Sequence, residues 1–309
     1  MNSLTQKILT LPFLVPVALL ALAAAPIVAT PAVEFGAWSE PINVGPPINT
    51  EYNDTYPILT ADGLTIYFTS DRPGGLGGDD LWVSRRKTTD SPWGEPENVT
   101  VLNSTYNDSL PMLSTSGNIM YFHSDRRGCG NGDLWMSRAK PGGDGWTAPV
   151  NMGCVVNTAA TEIAPAFYAN DDLGVSTIYF GSNRPGSADF DIYQTTTTDE
   201  DLESAVWSPG VLVPELSSLG RDTRTFVRRD GREIFITSNR TGSLGLDIWV
   251  ATREDPSDVW STPINPGPPL NSAADDGSPA LSRDGRTLYF FSTRTGGFGR
   301  RDIWFTVRE

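Results

Sequence analysis

Histidine is almost missing from this 309-residue chain, which has one, and there are only two cysteines. A structural zinc site built from Cys and His is therefore excluded, as is any mechanism that needs two histidines. Charged residues make up only 19% of the chain, and 37 acids outnumber 23 bases for a formal net charge of −14. A nucleic-acid binder needs a basic footprint, and none is present. No stretch after residue 30 shows sustained helical periodicity.

Turn residues are plentiful: 30 glycines and 24 prolines, alongside 10% aromatics. This is too apolar for disorder and too rich in turns for a helical bundle. A β-rich fold with many tight turns follows. The chemistry left open is that of carboxylates, oxygen-bound cations, or binding alone.

Residues 1–7 hold one basic side chain, Lys7, before an apolar run over residues 8–25 and small residues through Ala29. That is the pattern of a secretory signal over residues 1–29, cleaved after Ala23 or Ala29. The other reading is an uncleaved anchor, which Pro12, Pro16 and Pro26 oppose because proline breaks a spanning helix. Either way the rest, residues 30–309, is expected to work outside the cytoplasm: periplasmic, secreted or attached to the cell envelope.

Five repeats fill that remainder. Aromatic pairs begin at Tyr67, Tyr121, Tyr179, Phe235 and Tyr289, at spacings of 54, 58, 56 and 54. Five residues after each stands an arginine: Arg72, Arg126, Arg184, Arg240 and Arg294. An aspartate then opens a D-[LI]-[WY] strand: Asp80, Asp133, Asp191, Asp247 and Asp302. A tryptophan starts the next segment: Trp38, Trp93, Trp146, Trp207 and Trp260. One acid stands three residues before each of Pro57, Pro111, Pro165, Thr225 and Pro279: Asp54, Asp108, Glu162, Asp222 and Asp276. Asp-Gly turns at Asp62-Gly63, Asp230-Gly231 and Asp284-Gly285 mark hairpins. Each unit reads as four short strands, and four-stranded units at this period are propeller blades. The C-terminus stops after the third strand of the fifth unit. The missing fourth is the segment from Trp38, so the N-terminal strand is expected to pair with the last blade and close a single five-bladed all-β ring.

The unit D-x-x-P…DG-x-x-[LI]-Y-F-x-S-x-R-x-G-G-x-G-x-x-D-[IL]-[WY], clearest over Asp54–Trp82 and Asp276–Trp304, resembles the TolB-type, WD-repeat-like β-propeller repeat of bacterial exported proteins. The resemblance spans roughly residues 38–309. It implies the architecture and, for function, an envelope scaffold or binding role.

The five acids should ring one mouth of the channel, where propellers bind ligands. They either hold a polyhydroxy ligand or a Ca²⁺-like cation, the one cofactor considered, or cap their own loops. The arginines read as structural partners of the aspartates seven or eight residues on, the planar fork pinning the loop between strands two and three. Departures from the repeat point to function more sharply. His123 stands alone in its column, as a strand residue or a catalyst. Arg221 and Arg224 flank Asp222 at the expected mouth, where they either bind an acidic ligand or offset local charge. Blade three carries two insertions. Cys129 and Cys154 fall on one face of blade two, as a disulfide or two free thiols.

Five near-equivalent blades without a unique catalytic set point to a monomeric, non-enzymatic binding or scaffold module. Its partner is a protein or an envelope glycan at the channel mouth, and a membrane only if the N-terminal segment is retained. The alternative is a carbohydrate-active hydrolase or lyase that uses mouth carboxylates.

Overall fold

The computed structural model describes residues 36–142 and 145–309. The apolar leader expected over residues 1–29 lies outside them. The strands form five antiparallel sheets set around a channel. Blade one runs Asp54–Leu59, Thr65–Ser70, Asp80–Arg85 and Glu97–Asn98 from channel to rim. Blade two follows with Asp108–Leu113, Ile119–Ser124, Asp133–Arg138 and Val150–Asn151. Blade three is Glu162–Asn170, Val175–Ser182, Asp191–Thr197 and Val211–Leu212. Blade four has Asp222–Val227, Glu233–Ser238 and Asp247–Thr252, and its rim segment is reduced to one bridge between Val250 and Ile264. Blade five is Asp276–Leu281, Thr287–Ser292 and Asp302–Val307.

The ring closes as the sequence predicts. Ile42–Asn43 is the fourth strand of blade five, with Ile42 opposite Phe305 and Asn43 opposite Trp304. Backbone bonds extend the latch on both sides: Gly36 N donates to Glu309 O, Ser39 N to Val307 O and Val44 N to Ile303 O. Trp38 packs beside the cluster that contains Trp304. Closure leaves no free sheet edge at the seam.

The second strands explain why the sequence lacks strict alternation there. Each blade packs against two neighbours, so both of its faces are buried. Ile66, Phe68, Tyr121, Phe122, Ile234, Phe235 and Ile236 are all inaccessible. The rim tryptophans fill the gaps between blades. Trp146 meets Tyr67 of the preceding blade edge-on at 5.9 Å, Trp207 meets Tyr121 at 6.3 Å and Trp260 meets Tyr179 at 6.4 Å. Such pairs add to area burial through the ring quadrupole. The blade-three insertion lengthens its first hairpin, whose strands have nine and eight residues against six elsewhere.

Each first strand is interrupted by a register shift just after its acid. In four blades the residue before the proline takes a positive φ: Tyr56, Leu110, Ala164 and Ser278. Proline has no N–H for the ladder. In blade four Thr225 replaces it and pairs with Ile236, and Arg224, within the register shift, takes no positive φ.

One buried ion pair joins blades four and five. Arg308 Nη1 and Nη2 donate to Glu233 Oε1 and Oε2 at 2.8 and 2.6 Å. Taking away one side of such a pair costs about 3–5 kcal/mol, whereas a matched apolar pair is tolerated. Glu233→Ala should lower stability by that amount in urea unfolding, and Glu233→Leu with Arg308→Met should recover most of the loss.

Candidate active site

The column of five acids is wholly buried. Asp54 shows the pattern. Its Oδ2 accepts from Thr50 N and Thr50 Oγ1, both at 2.7 Å, and its Oδ1 accepts from Ser70 Oγ at 2.7 Å and Arg72 Nη2 at 2.5 Å. Asp108 repeats it with Ser104 and Arg126, Asp276 with Ser272 and Arg294, Asp222 with Ser218, Ser238 and Arg240, and Glu162 with Thr158, Ser182 and Arg184. The arginines therefore pair with the acid 18 or 22 residues before them, not with the aspartate seven or eight residues after. The reason is reach: the guanidinium turns inward under the first strand, where it also lies over its own blade's aromatics, Phe68 and Trp82 for Arg72. Asp54 and Glu162 each accept four such bonds, about the full capacity of a carboxylate, and Asp108, Asp222 and Asp276 accept three each.

The second aspartate column caps loops. Asp80 accepts from Leu76 N, Gly77 N and Asn98 Nδ2, and Asp302 from Phe298 N, Gly299 N and Asn43 Nδ2. Asp133 does the same with Cys129 N, Gly130 N and Asn151. Asp247 accepts from Leu244 N and Asn265 Nδ2. Asp191 has one buried oxygen without a partner among the described residues. Cys129 and Cys154 form a disulfide with Cα atoms 5.5 Å apart, tethering this loop of blade two to the end of its rim strand.

The blades stop being equivalent where those loops meet the channel. Asp79 is half-buried, and its carboxylate accepts no hydrogen bond from a described residue. Burial, followed by the nearby Asp71 carboxylate, raises its pKa, with Asp125 adding to the rise and Arg301 opposing it. Asp125 is shifted the other way, chiefly by its bond to His123 and also by Asn107. Asn107 ties the two together: its Oδ1 accepts from Asp79 N at 3.1 Å and its Nδ2 donates to Asp125 Oδ2 at 2.9 Å. His123 lies under this pair, 6% exposed, with Nδ1 2.9 Å from Glu162 O and Nε2 3.0 Å from Asp125 Oδ1. Both ring nitrogens face oxygen atoms. The ring fits because the next strand offers Gly132 at the position of Asp79: a Cβ there would sit 2.5 Å from His123 Cε1.

Two expected mouth residues separate. Arg221 stays at the rim, stacked over Phe190 at 4.4 Å and 3.4 Å from Asp189 Oδ1. Arg224 is inside the channel, 1% exposed, with Nη2 donating to Pro111 O of blade two. At the opposite end of the channel a bowl of about 500 Å³ is lined by Ile58, Met112, Phe167, Phe226 and Leu281. Its wall also carries Asp62, Asp171, Arg229 and Arg283, but it lacks the paired, oppositely shifted carboxyls of the first mouth.

Asp79 and Tyr56 escape a search for repeated columns because each is peculiar to its blade, whereas Asn107 and Asp125 share their columns with Asn53 and Asp71 of blade one, which make the same amide-to-carboxylate contact. The signal available was the residue before each D-[LI]-[WY] strand, which runs Asp79, Gly132, Phe190, Leu246, Arg301. No family model and no curated protein matches the sequence. Solved structures do match in fold. An endo-arabinase from Bacteroides thetaiotaomicron aligns with a TM-score of 0.57 at 15% identity, covering 87% of this chain and 97% of that one. An α-L-arabinofuranosidase from Podospora anserina in complex with cellotriose gives 0.55 at 11%, covering 89% and 97%. A GH62 α-L-arabinofuranosidase catalytic domain from Coprinopsis cinerea gives 0.54 at 11%, covering 89% and 97%. These define the class as five-bladed β-propeller, and glycoside hydrolases dominate the neighbours. The expectation of a non-enzymatic module rested on five alike blades. It is overturned, since enzymes are built on this same ring and the mouth itself is asymmetric.

The two shifts have opposite consequences for stability. A raised folded-state pKa gives stability that is present below the unfolded value and lost as pH rises through the folded one; a lowered one gives stability lost as pH falls through it. Asp79→Asn should therefore raise the urea midpoint at pH 7, and Asp125→Asn should lower it. Both differences should shrink as pH falls through the carboxyl range near 4.

Proposed function

We propose that this protein is an exported carbohydrate-active hydrolase whose reacting carboxyls are Asp79 and Asp125. The carrying observation is the opposed displacement of two acids held by one asparagine at the channel mouth. Glycoside hydrolysis uses such a division of labour: one carboxyl keeps a proton for the leaving oxygen while the other stays ionised to activate water or attack the anomeric carbon. Asp79, desolvated and beside other carboxylates, suits the acid. Asp125, held ionised by His123 and Asn107, suits the base or nucleophile. His123 acts as a positioning residue, fixing the direction of Asp125. Arg221, Phe190 and Arg301 border the same mouth and are the contacts for the flanking sugars.

The fold neighbours include arabinases, arabinofuranosidases and a hydrolase in complex with xylotriose. Arabinose-bearing and xylose-based glycans are therefore the first substrates to try. Export is supported by the leader pattern over residues 1–29 and by the disulfide, which belongs to oxidising compartments.

Reducing-sugar release from arabinan, arabinoxylan and chromogenic arabinofuranosides tests the assignment. Asp79→Asn and Asp125→Asn should each reduce turnover by about 10²–10⁴-fold, the usual worth of a positioned acid or base. Asp62→Asn, on the far face, should leave it unchanged. Turnover that survives both mouth substitutions, or no release from any of these glycans, would remove the proposal.

A further inference from the structure

The largest side chain among the wholly buried ones is a cation. Arg224 leaves the first strand of blade four and crosses the channel to blade two, where its single hydrogen bond is to the Pro111 carbonyl at 2.9 Å. Its Nε and Nη1 have no partner among the described residues. The repeat arginines show what the fold otherwise does with a buried guanidinium: Arg72, Arg126, Arg184, Arg240 and Arg294 each face a carboxylate. Arg224 faces none. The corresponding residues of the other first strands are Tyr56, Leu110, Ala164 and Ser278, all uncharged at neutral pH. A lone carbonyl does not offset the desolvation of a full positive charge. Burial accordingly presses its pKa down to about 10, with only Tyr56 acting the other way.

We infer that Arg224 makes the centre of the channel a binding site for a small monovalent anion of halide size. The bare N–H groups supply the donors, and the single positive charge matches a single negative one. The hydroxyl of Tyr56 is in electrostatic range of both Arg224 and Asp79. The enclosure sets the size limit: a side chain with 1% of its surface accessible cannot meet a sugar or a peptide terminus. A divalent oxyanion would bring a second, unmatched charge into the interior.

The site is independent of glycan hydrolysis, and it is read through stability. Thermal midpoints of the full chain should be measured from 1 mM to 300 mM chloride, with gluconate holding ionic strength constant. Because a ligand that binds only the folded state stabilises it by mass action, the midpoint should climb by roughly 5 °C, rising with the logarithm of chloride concentration once the site fills. Bromide and nitrate should act alike, and sulfate should not. Arg224→Met should abolish the response. Crystals grown with bromide should show an anomalous peak ~3.3 Å from Arg224 Nε or Nη1, a hydrogen-bonding distance for a large anion, which keeps the test intact if the variant fails to fold. Equal midpoints in chloride and gluconate, an unchanged response in Arg224→Met, a response to acetate but not to halide, or no bromide peak at this arginine would each overturn the inference.

Discussion

The structure depends on a carboxylate and a guanidinium meeting out of water five times around one axis. In each blade an acid at the start of the channel strand takes an arginine from the loop beyond the second strand. The same acid ties down the linker that precedes it, through a main-chain amide in four blades and a serine or threonine hydroxyl in all five. The arginine also reaches a carbonyl of that linker, Leu102 O from Arg126 and Leu270 O from Arg294. One ion pair thus sets the distance between successive blades as well as the end of each. Buried pairs of this kind gain little net stability over apolar packing. Their contribution is geometric: the fork fixes the angle at which each loop turns over the channel.

Because that scaffold uses the repeated charges, function falls to the residues that break the repeat. Asp79 takes a column that elsewhere holds Gly132, Phe190, Leu246 and Arg301, and His123 takes one that holds threonine, glycine or phenylalanine. Gly132 and His123 are complementary across one blade, since the missing side chain makes room for the ring. In the Asp79–Asn107–Asp125 arrangement the member that breaks the repeat is Asp79, since Asn53 and Asp71 of blade one make the same contact as Asn107 and Asp125. Its asymmetry is bought by nothing in the ring, which presents the same backbone to all five.

The architecture was readable because it recurs. Strand number, blade number and the closing role of the segment at Trp38 follow from columns that repeat five times, and errors at one blade are corrected by the other four. The partner of each arginine was misread because spacing along the chain favours Asp80 for Arg72, while the hairpin brings Ser70 back beside Asp54. Antiparallel register, not sequence distance, decides that contact. The same limit hid the mouth. Asp79 and Asp125 belong to different blades and share no motif; only the packing of one loop against the next, through Asn107, joins them. Arg224 looked like a rim residue because it neighbours Asp222, yet strand alternation and the missing proline send it into the channel.

The seam has a temporal meaning as well. Asn49 bonds to both the amide and the carbonyl of Ile303, 254 positions away in the chain. During synthesis the first strand to emerge has no partner until the last one is made, whereas each other blade completes its inner hairpins from local sequence. Contacts so remote carry the steepest loop-closure entropy and form late. The final act of maturation is therefore a single long-range docking, and until it occurs the third strand of blade five presents an open edge to any other extended chain nearby.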